Sequence, residues 1–164
     1  TGGVDDAGEL DPGDALDDSP ELPTGPALVR LVPSAAAVQV GDTIVVQVVL
    51  DNGTNIGSVP FHLRYNRQVV EFMPPASEGN LLSQDGSNVV FIANDTASGG
   101  EIVVGYSRMG GETGITGSGV LATFQFRALN PGDDGFQFTG ASVKDPQARN
   151  LPAAFQPMSV VVQE

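Results

Sequence analysis

His62 is the only histidine in this 164-residue sequence, and so the only side chain whose ordinary pKa suits proton transfer near neutral pH. Work as a catalytic base would need a nucleophile and an orienting carboxylate beside it, and Pro60, Phe61, Leu63 and Arg64 supply neither. A zinc centre is disfavoured, because one His and no Cys leave carboxylates to complete the ligand set. Gly117-Ser118-Gly119-Val120-Leu121-Ala122 loosely fits the dinucleotide fingerprint, which requires a helix to begin at the loop and meet the pyrophosphate. The residues that follow alternate with period two, so the helix is missing and the glycines read as a tight, bulged approach to a strand. Glycoside hydrolysis needs two facing carboxylates, but beyond the N-terminal tail the acidic residues stand singly, apart from Asp133-Asp134 in a turn. Asn52-Gly53-Thr54 and Asn94-Asp95-Thr96 are formal glycosylation sequons, relevant only in a eukaryotic secretory setting. No acid, base or nucleophile set converges, and the reading is of a protein that is not an enzyme.

The elements that must position these residues are β throughout from Ala27 onward. Strands are expected over Ala27–Val32, Thr43–Asp51, Ser58–Tyr65, Val69–Met73 and Asn88–Asn94, then over Glu101–Arg108, Gly119–Leu129, Phe136–Lys144 and Met158–Gln163. Turn signals separate them, among them Val40-Gly41-Asp42, Asp51-Asn52-Gly53, Asp85-Gly86 and Pro131-Gly132-Asp133. Only Glu78–Ser83 suggests a helical turn. Nine short strands at this spacing predict an all-β, nine-stranded antiparallel β-sandwich with jelly-roll topology.

Side chains alternate across a strand, so parity assigns faces. Val59, Phe61, Leu63 and Tyr65 point one way, and Ser58, Pro60, His62 and Arg64 the other. Ile102, Val104 and Tyr106 oppose Val103, Gly105 and Ser107. Val120, Ala122, Phe124, Phe126 and Ala128 oppose Leu121, Thr123, Gln125 and Arg127. The aromatic sets are expected in the core, and Pro60, which lacks a ladder donor, marks an edge or bulge.

Composition bounds the function further. Residues 1–26 carry eight acidic and no basic side chains, so most of the net charge of −13 belongs to a segment too polar to offset its ordering entropy. That segment is expected to be a disordered acidic, Gly/Pro-rich linker preceding a folded domain over residues 27–164. Its acidic spacing does not match a calcium-binding EF-hand loop. Nucleic-acid binding is disfavoured for want of a basic surface. No run of about 18 apolar residues exists to span a membrane. No leader opens the sequence, which reads as a mature product or a piece of something longer.

Five segments together resemble the cohesin domain. They are Val40-Gly41-Asp42-Thr43 with the apolar strand to Asp51-Asn52; Pro60-Phe61-His62-Leu63-Arg64-Tyr65-Asn66 with Val69-Val70-Glu71-Phe72; Glu78-Gly79-Asn80-Leu81-Leu82; Gly105 to Gly111; and Gly117 to Ala128. The stretch from Phe61 to Phe72 is similar to the family's F-x-L-x-Y-D-P-x-V-L-E-F. The segments fall in the family's order over about Ala27 to Val162. The resemblance implies a jelly-roll sandwich with one flat face that receives a dockerin module. Dockerins carry their own calcium, so none is implied on this chain, and no cofactor is expected. Ser107-Arg108-Met109-Gly110-Gly111 is more similar to cohesin-type domains outside cellulosomes, some of them attached to secretin-like or pilus-assembly proteins of bacterial outer membranes. Ser58 and Pro60 occupy positions where cellulosomal members carry an Asn and an Asp that contact dockerin. Arg108 stands about where those members carry an acidic residue.

The expected function is therefore a non-catalytic protein-interaction module, a monomer, docking a dockerin-like module or another component of an extracytoplasmic bacterial secretion or surface assembly. Its partner-binding set is expected to be Ser58, Pro60, His62 and Arg64, with Val103, Gly105, Ser107 and Arg108, and Leu121, Thr123 and Gln125. In that set Leu121 is an apolar anchor, whose change to Asp would abolish capture and spare the fold. Two other readings are a carbohydrate-binding module on a related jelly roll and a structural spacer of a surface or secretion protein. The first is weakened because both tyrosines and most phenylalanines fall on core-facing parities.

Overall fold

The computed structural model describes residues 26–86, 88–96, 98–109 and 113–164, and the expected acidic linker lies outside them apart from Pro26. Every regular element described is a strand. The first half of the chain contributes β1 (Ala27–Pro33), β2 (Ala37–Gln39), β3 (Thr43–Ile56), β4 (Phe61–Arg64), β5 (Val70–Phe72), β6 (Ser77–Glu78) and β7 (Val89–Asp95). The second half contributes β8 (Glu101–Arg108), β9 (Ile115–Ala128), β10 (Gly132–Thr139), β11 (Val143–Lys144), β12 (Asn150–Leu151), β13 (Ala153–Phe155) and β14 (Met158–Gln163). No helix in the described residues is long and apolar enough to cross a membrane.

Two sheets face one another, as a β-sandwich requires. The first has the order β13-β1-β3-β9-β5, with β6 also pairing β9. The second has the order β2-β14-β10-β4-β8-β7. Each expected strand has a counterpart, but the described residues form fourteen strands and not nine, the extra ones being short, and Phe136–Lys144 is broken: β10 ends at Thr139 and β11 pairs β12 instead. The helical turn expected over Glu78–Ser83 is absent, replaced by β6 and hydrogen-bonded turns at Ser83 and Gly86. The sandwich is also not wholly antiparallel. β13 runs parallel to β1, and β2 parallel to β14. The N-terminal strand explains the second case, because it leaves the first sheet at Ser34-Ala35-Ala36 and continues as β2 in the other. Small residues at the crossing give no apolar alternation from which β2 could be read.

The inner faces meet in one apolar core. Val29, Ile44, Val46, Val48 and Leu50 from the first sheet are fully buried, as are Leu63, Ile102, Phe136 and Val160 from the second. Phe126 links the sheets, with ring centroids 5.0 Å from Phe136, 5.2 Å from Tyr65 and 5.7 Å from Phe72. Those separations suit the edge-to-face and tilted arrangements that aromatic quadrupoles favour.

Two carboxylates are buried among the described residues; Asp145 accepts the Gln147 and Arg149 backbone N–H groups and the Arg149 guanidinium, while Asp134 lies in the interior with fewer partners. Asp134, on β10, is wholly buried; Oδ1 accepts the Asn66 backbone N–H at 2.8 Å, and Oδ2 has no partner. Burial pushes its carboxyl up to about 6, against the opposing pull of the Asn66 N–H. The unfolded chain releases this proton near 3.8 and the folded one only near 6. Through that window the folded state holds more protons, so the contribution of Asp134 to stability falls as pH rises. Asp134→Asn removes the titration. Urea unfolding from pH 4 to pH 7 is expected to show the variant gaining on the wild type by up to about 3 kcal/mol, two pKa units at about 1.4 kcal/mol each.

Candidate docking face

The second sheet turns its outer side to solvent over β10, β4, β8 and β7, and the registers place its residues in rows. Val103 lies between His62 on β4 and Asn94 on β7. Gly105 is opposite Ile92, Ser107 opposite Val90, and Thr139 of β10 opposite His62. Val90, Ile92 and Val103 are 40%, 53% and 40% exposed, an apolar strip on neighbouring strands. A Cβ built at Gly105 would meet nothing within 4 Å, so its glycine leaves the middle of the strip low where any side chain would have fitted.

A polar cluster borders the strip. Glu101 Oε2 accepts a hydrogen bond from the Thr139 hydroxyl at 3.0 Å and lies 3.2 Å from His62 Nδ1. The Thr139 donor, then the His62 contact and the nearby charge of Arg64, hold the Glu101 carboxyl below its ordinary range. Three strands thus fix one another's outward side chains through one carboxylate. Thr139 and His62 share Glu101 Oε2 as their partner. Elsewhere, a cleft of about 520 Å³ opens between Pro26, Ala27, Asn52, Ile56, Leu151 and Pro152 and is lined by no titratable side chain. Among the described residues no group of three or more His, Asp or Glu side chains is placed to hold a metal ion.

The sequence-based set divides on this geometry. His62, Arg64, Val103, Gly105 and Ser107 share the outward face of adjacent strands β4 and β8. Ser58 and Pro60 precede β4 and are half-buried; Ser58 bridges Ser107 and Lys144 at the margin of the same sheet. Arg108 does not join them. Its side chain is 4% exposed and turned toward the Leu81–Gly86 turns, donating to the Leu82 carbonyl at 2.7 Å and to both Asp85 oxygens at 3.0 Å.

Leu121, Thr123 and Gln125 belong to β9, in the first sheet, so their outward side faces away from β4 and β8. Alternation gives the parity of a strand but not the sheet that receives it. Leu121 departs from the expected parity as well. The pairing of β9 with β3 slips between Val120 and Ala122, and both Leu121 and Ala122 are fully buried. This bulge reverses the inward parity from Ile115 and Leu121 to Ala122, Phe124 and Phe126. Gly79 docks onto it: its N–H donates to the Leu121 carbonyl at 2.9 Å, and a Cβ there would collide with the Val120 carbonyl. The apolar anchor expected at Leu121 is thus a core residue.

Val90 and Ile92 are the residues that sequence reasoning passes over. Val89-Val90-Phe91-Ile92-Ala93 is apolar without alternation, a pattern that reads as burial on both sides. Half of it is exposed because alternate residues of β7 point to the outer face of the sheet, which is open to solvent there as it is at Val103.

The cohesin domain family model matches residues 29–146. The chain belongs to the cohesin family. Solved structures agree on the fold. A type II cohesin domain from the cellulosome of Acetivibrio cellulolyticus superposes with a TM-score of 0.72 at 14% identity, over 83% of this chain and 95% of that one. A non-cellulosomal cohesin from the hyperthermophilic archaeon Archaeoglobus fulgidus gives 0.67 at 20% identity, over 85% and 93%. The cohesin of a type I cohesin–dockerin complex from Clostridium thermocellum gives 0.66 at 18% identity, over 84% and 92%. No curated protein sequence shows significant similarity to the chain.

Burial of Leu121 reverses the expectation for its substitution. Leu121→Asp should cost about 3 kcal/mol or more of folding stability, because it places an unpaired carboxylate in the core. Thermal and urea unfolding check this; an unchanged midpoint would show the side chain to be accessible.

Proposed function

We propose that this cohesin domain is a non-catalytic docking module whose outward β10-β4-β8-β7 face captures a dockerin-like partner. The observation that carries the reading is the exposed apolar strip of Val90, Ile92 and Val103 around the low point at Gly105, rimmed by His62, Glu101, Thr139 and Arg64. An apolar centre with a polar rim is the usual anatomy of a protein–protein interface. His62, Glu101 and Thr139 are held by one another before any partner arrives, which limits the ordering cost of association. One chain carries the whole face, so capture needs no second copy. The solved cohesin–dockerin complexes of this fold support the choice of partner class. Calcium, on this reading, belongs to the partner, and the setting is an extracytoplasmic bacterial secretion or surface assembly.

Sugar binding by ring stacking is less well supported. All the aromatic side chains lie in the described residues, and each of the two Tyr and eight Phe is buried or half-buried, leaving no exposed platform.

The test is capture on an array of calcium-loaded dockerin modules. Ile92→Asp and Val103→Asp should each weaken binding about 30-fold or more, on the order of 2 kcal/mol, with unfolding midpoints unchanged. Gln125→Asp, on the opposite sheet, should bind like the wild type. Equal binding by all three variants would rule out this face. Capture by no dockerin module would remove the partner assignment, and retention on insoluble polysaccharide instead would favour a sugar ligand.

A further inference from the structure

The free edge of β7 borders the face just described and shares Val90 and Ile92 with it, and four observations make it unusual. β7 pairs only β8 among the described residues and is seven residues long. The other edges are short or interrupted. β2, β5 and β13 have three residues each and β6 has two; Pro74 and Pro75 separate β5 from β6, and Pro152 and Pro157 flank β13. Such shortness and proline are ordinary protection against edge-to-edge pairing, and β7 has neither, nor a lysine, nor a bulge in its register.

The direction of its main-chain groups follows from the ladder. The Met109 N–H donates to the Asn88 carbonyl and the Thr96 N–H to the Glu101 carbonyl, both at 2.9 Å. In the antiparallel register these bonds recur at alternate residues, so Asn88, Val90, Ile92 and Asn94 point their amides and carbonyls at β8. The N–H and C=O groups of Val89, Phe91 and Ala93 therefore point outward, away from the sheet.

The sequence of the strand completes the case. Asn88-Val89-Val90-Phe91-Ile92-Ala93-Asn94 is nearly palindromic in residue type about Phe91. Two copies paired antiparallel on a two-fold axis at Phe91 would set Asn88 against Asn94, Val89 against Ala93 and Val90 against Ile92, each twice. The pairs with outward main-chain groups, Phe91 with Phe91 and Val89 with Ala93, are those that exchange two N–H···O=C bonds. No charged residue lies between Asn88 and Asn94 in a chain of net charge −13, and Asp95 accepts the Tyr65 hydroxyl at 2.5 Å. Like charges are therefore not brought together along the paired strands.

We infer that β7 is a self-pairing edge, joining a second copy of this chain by an isologous, antiparallel β7–β7 contact centred on Phe91. This departs from the monomer expected from sequence, and it does not depend on the docking reading. The two six-stranded sheets would run on as one, with the Val90 and Ile92 side chains of both copies packed across the axis.

Sedimentation of the chain over rising concentration should show a monomer–dimer equilibrium, strengthened by salt because the copies carry like charge. Ala93→Pro removes an outward N–H that the domain itself does not use, and Val90→Lys puts a charge on the edge. Each should weaken the dimer at least ten-fold. The chain has no cysteine, so thiols report cleanly. In the double variant Asn88→Cys/Asn94→Cys the facing positions form a non-hydrogen-bonded pair about 4.5 Å apart at Cα, within disulfide range. The two sites on one strand are about 20 Å apart, too far to close within a copy. Mild oxidation should give covalent dimers from the double variant and not from either single one. A monomer at every concentration, a dimer untouched by both edge variants, or equal crosslinking by the single variants would overturn the inference. A monomer that takes up only an extended segment of another protein would overturn it as well.

Discussion

Phe126 is the point at which aromatic rings from the two sides of the sandwich meet. Its ring touches Phe72 within its own sheet and Tyr65 and Phe136 in the facing one. The rows of Val, Ile and Leu on either side extend that contact into a continuous interior. Hydrophobic burial has no direction of its own, so geometry comes from strands that can offer only alternate residues to the core. Once Phe61, Leu63, Ile102 and Val104 are committed inward, His62, Arg64, Glu101 and Val103 have no place but the outer surface. The candidate face is in this sense the remainder of the core.

That remainder lies on the open outer side of the second sheet. A sandwich whose interior is filled by rings and branched aliphatics has no room between its sheets for a substrate. The polar groups outside are engaged with one another: Thr139 and His62 with Glu101, and Arg108 with Leu82 and Asp85. Asp134 differs from the other buried carboxylate, Asp145, in that only one of its oxygens is satisfied, by the Asn66 N–H. Its bond ties the loop after β4 to β10, at the expense of a pH-dependent weakness in the core.

How much of this is legible in the sequence depends on whether the deciding contact is local. Alternation over Val59–Tyr65 and Ile102–Tyr106 reads correctly because each strand is regular and has one buried face. The five cohesin-like segments identify the family because their order survives even where single residues differ. Alternation misplaces Leu121 because a bulge reverses parity, and the bulge is specified partly by Gly79, distant in sequence and bonded to it in space. It groups Thr123 and Gln125 with β4 and β8, although β9 lies in the other sheet, because parity does not say which sheet a strand enters. Arg108 shares the inward parity of Tyr106, and its length lets it reach the loop carrying Asp85. Val90 and Ile92 are hidden by apolar neighbours on both parities, so that the sequence does not say which parity faces outward.

The central claim is that the outer side of β10-β4-β8-β7 is the docking surface. Amide hydrogen exchange on the chain, free and saturated with a captured dockerin module, tests it most directly. Protection is expected to rise over residues 61–64, 89–95 and 101–107, with residues 43–50 and 121–127 unchanged. Protection confined to the opposite sheet, or to the cleft beside Pro26, would contradict the account.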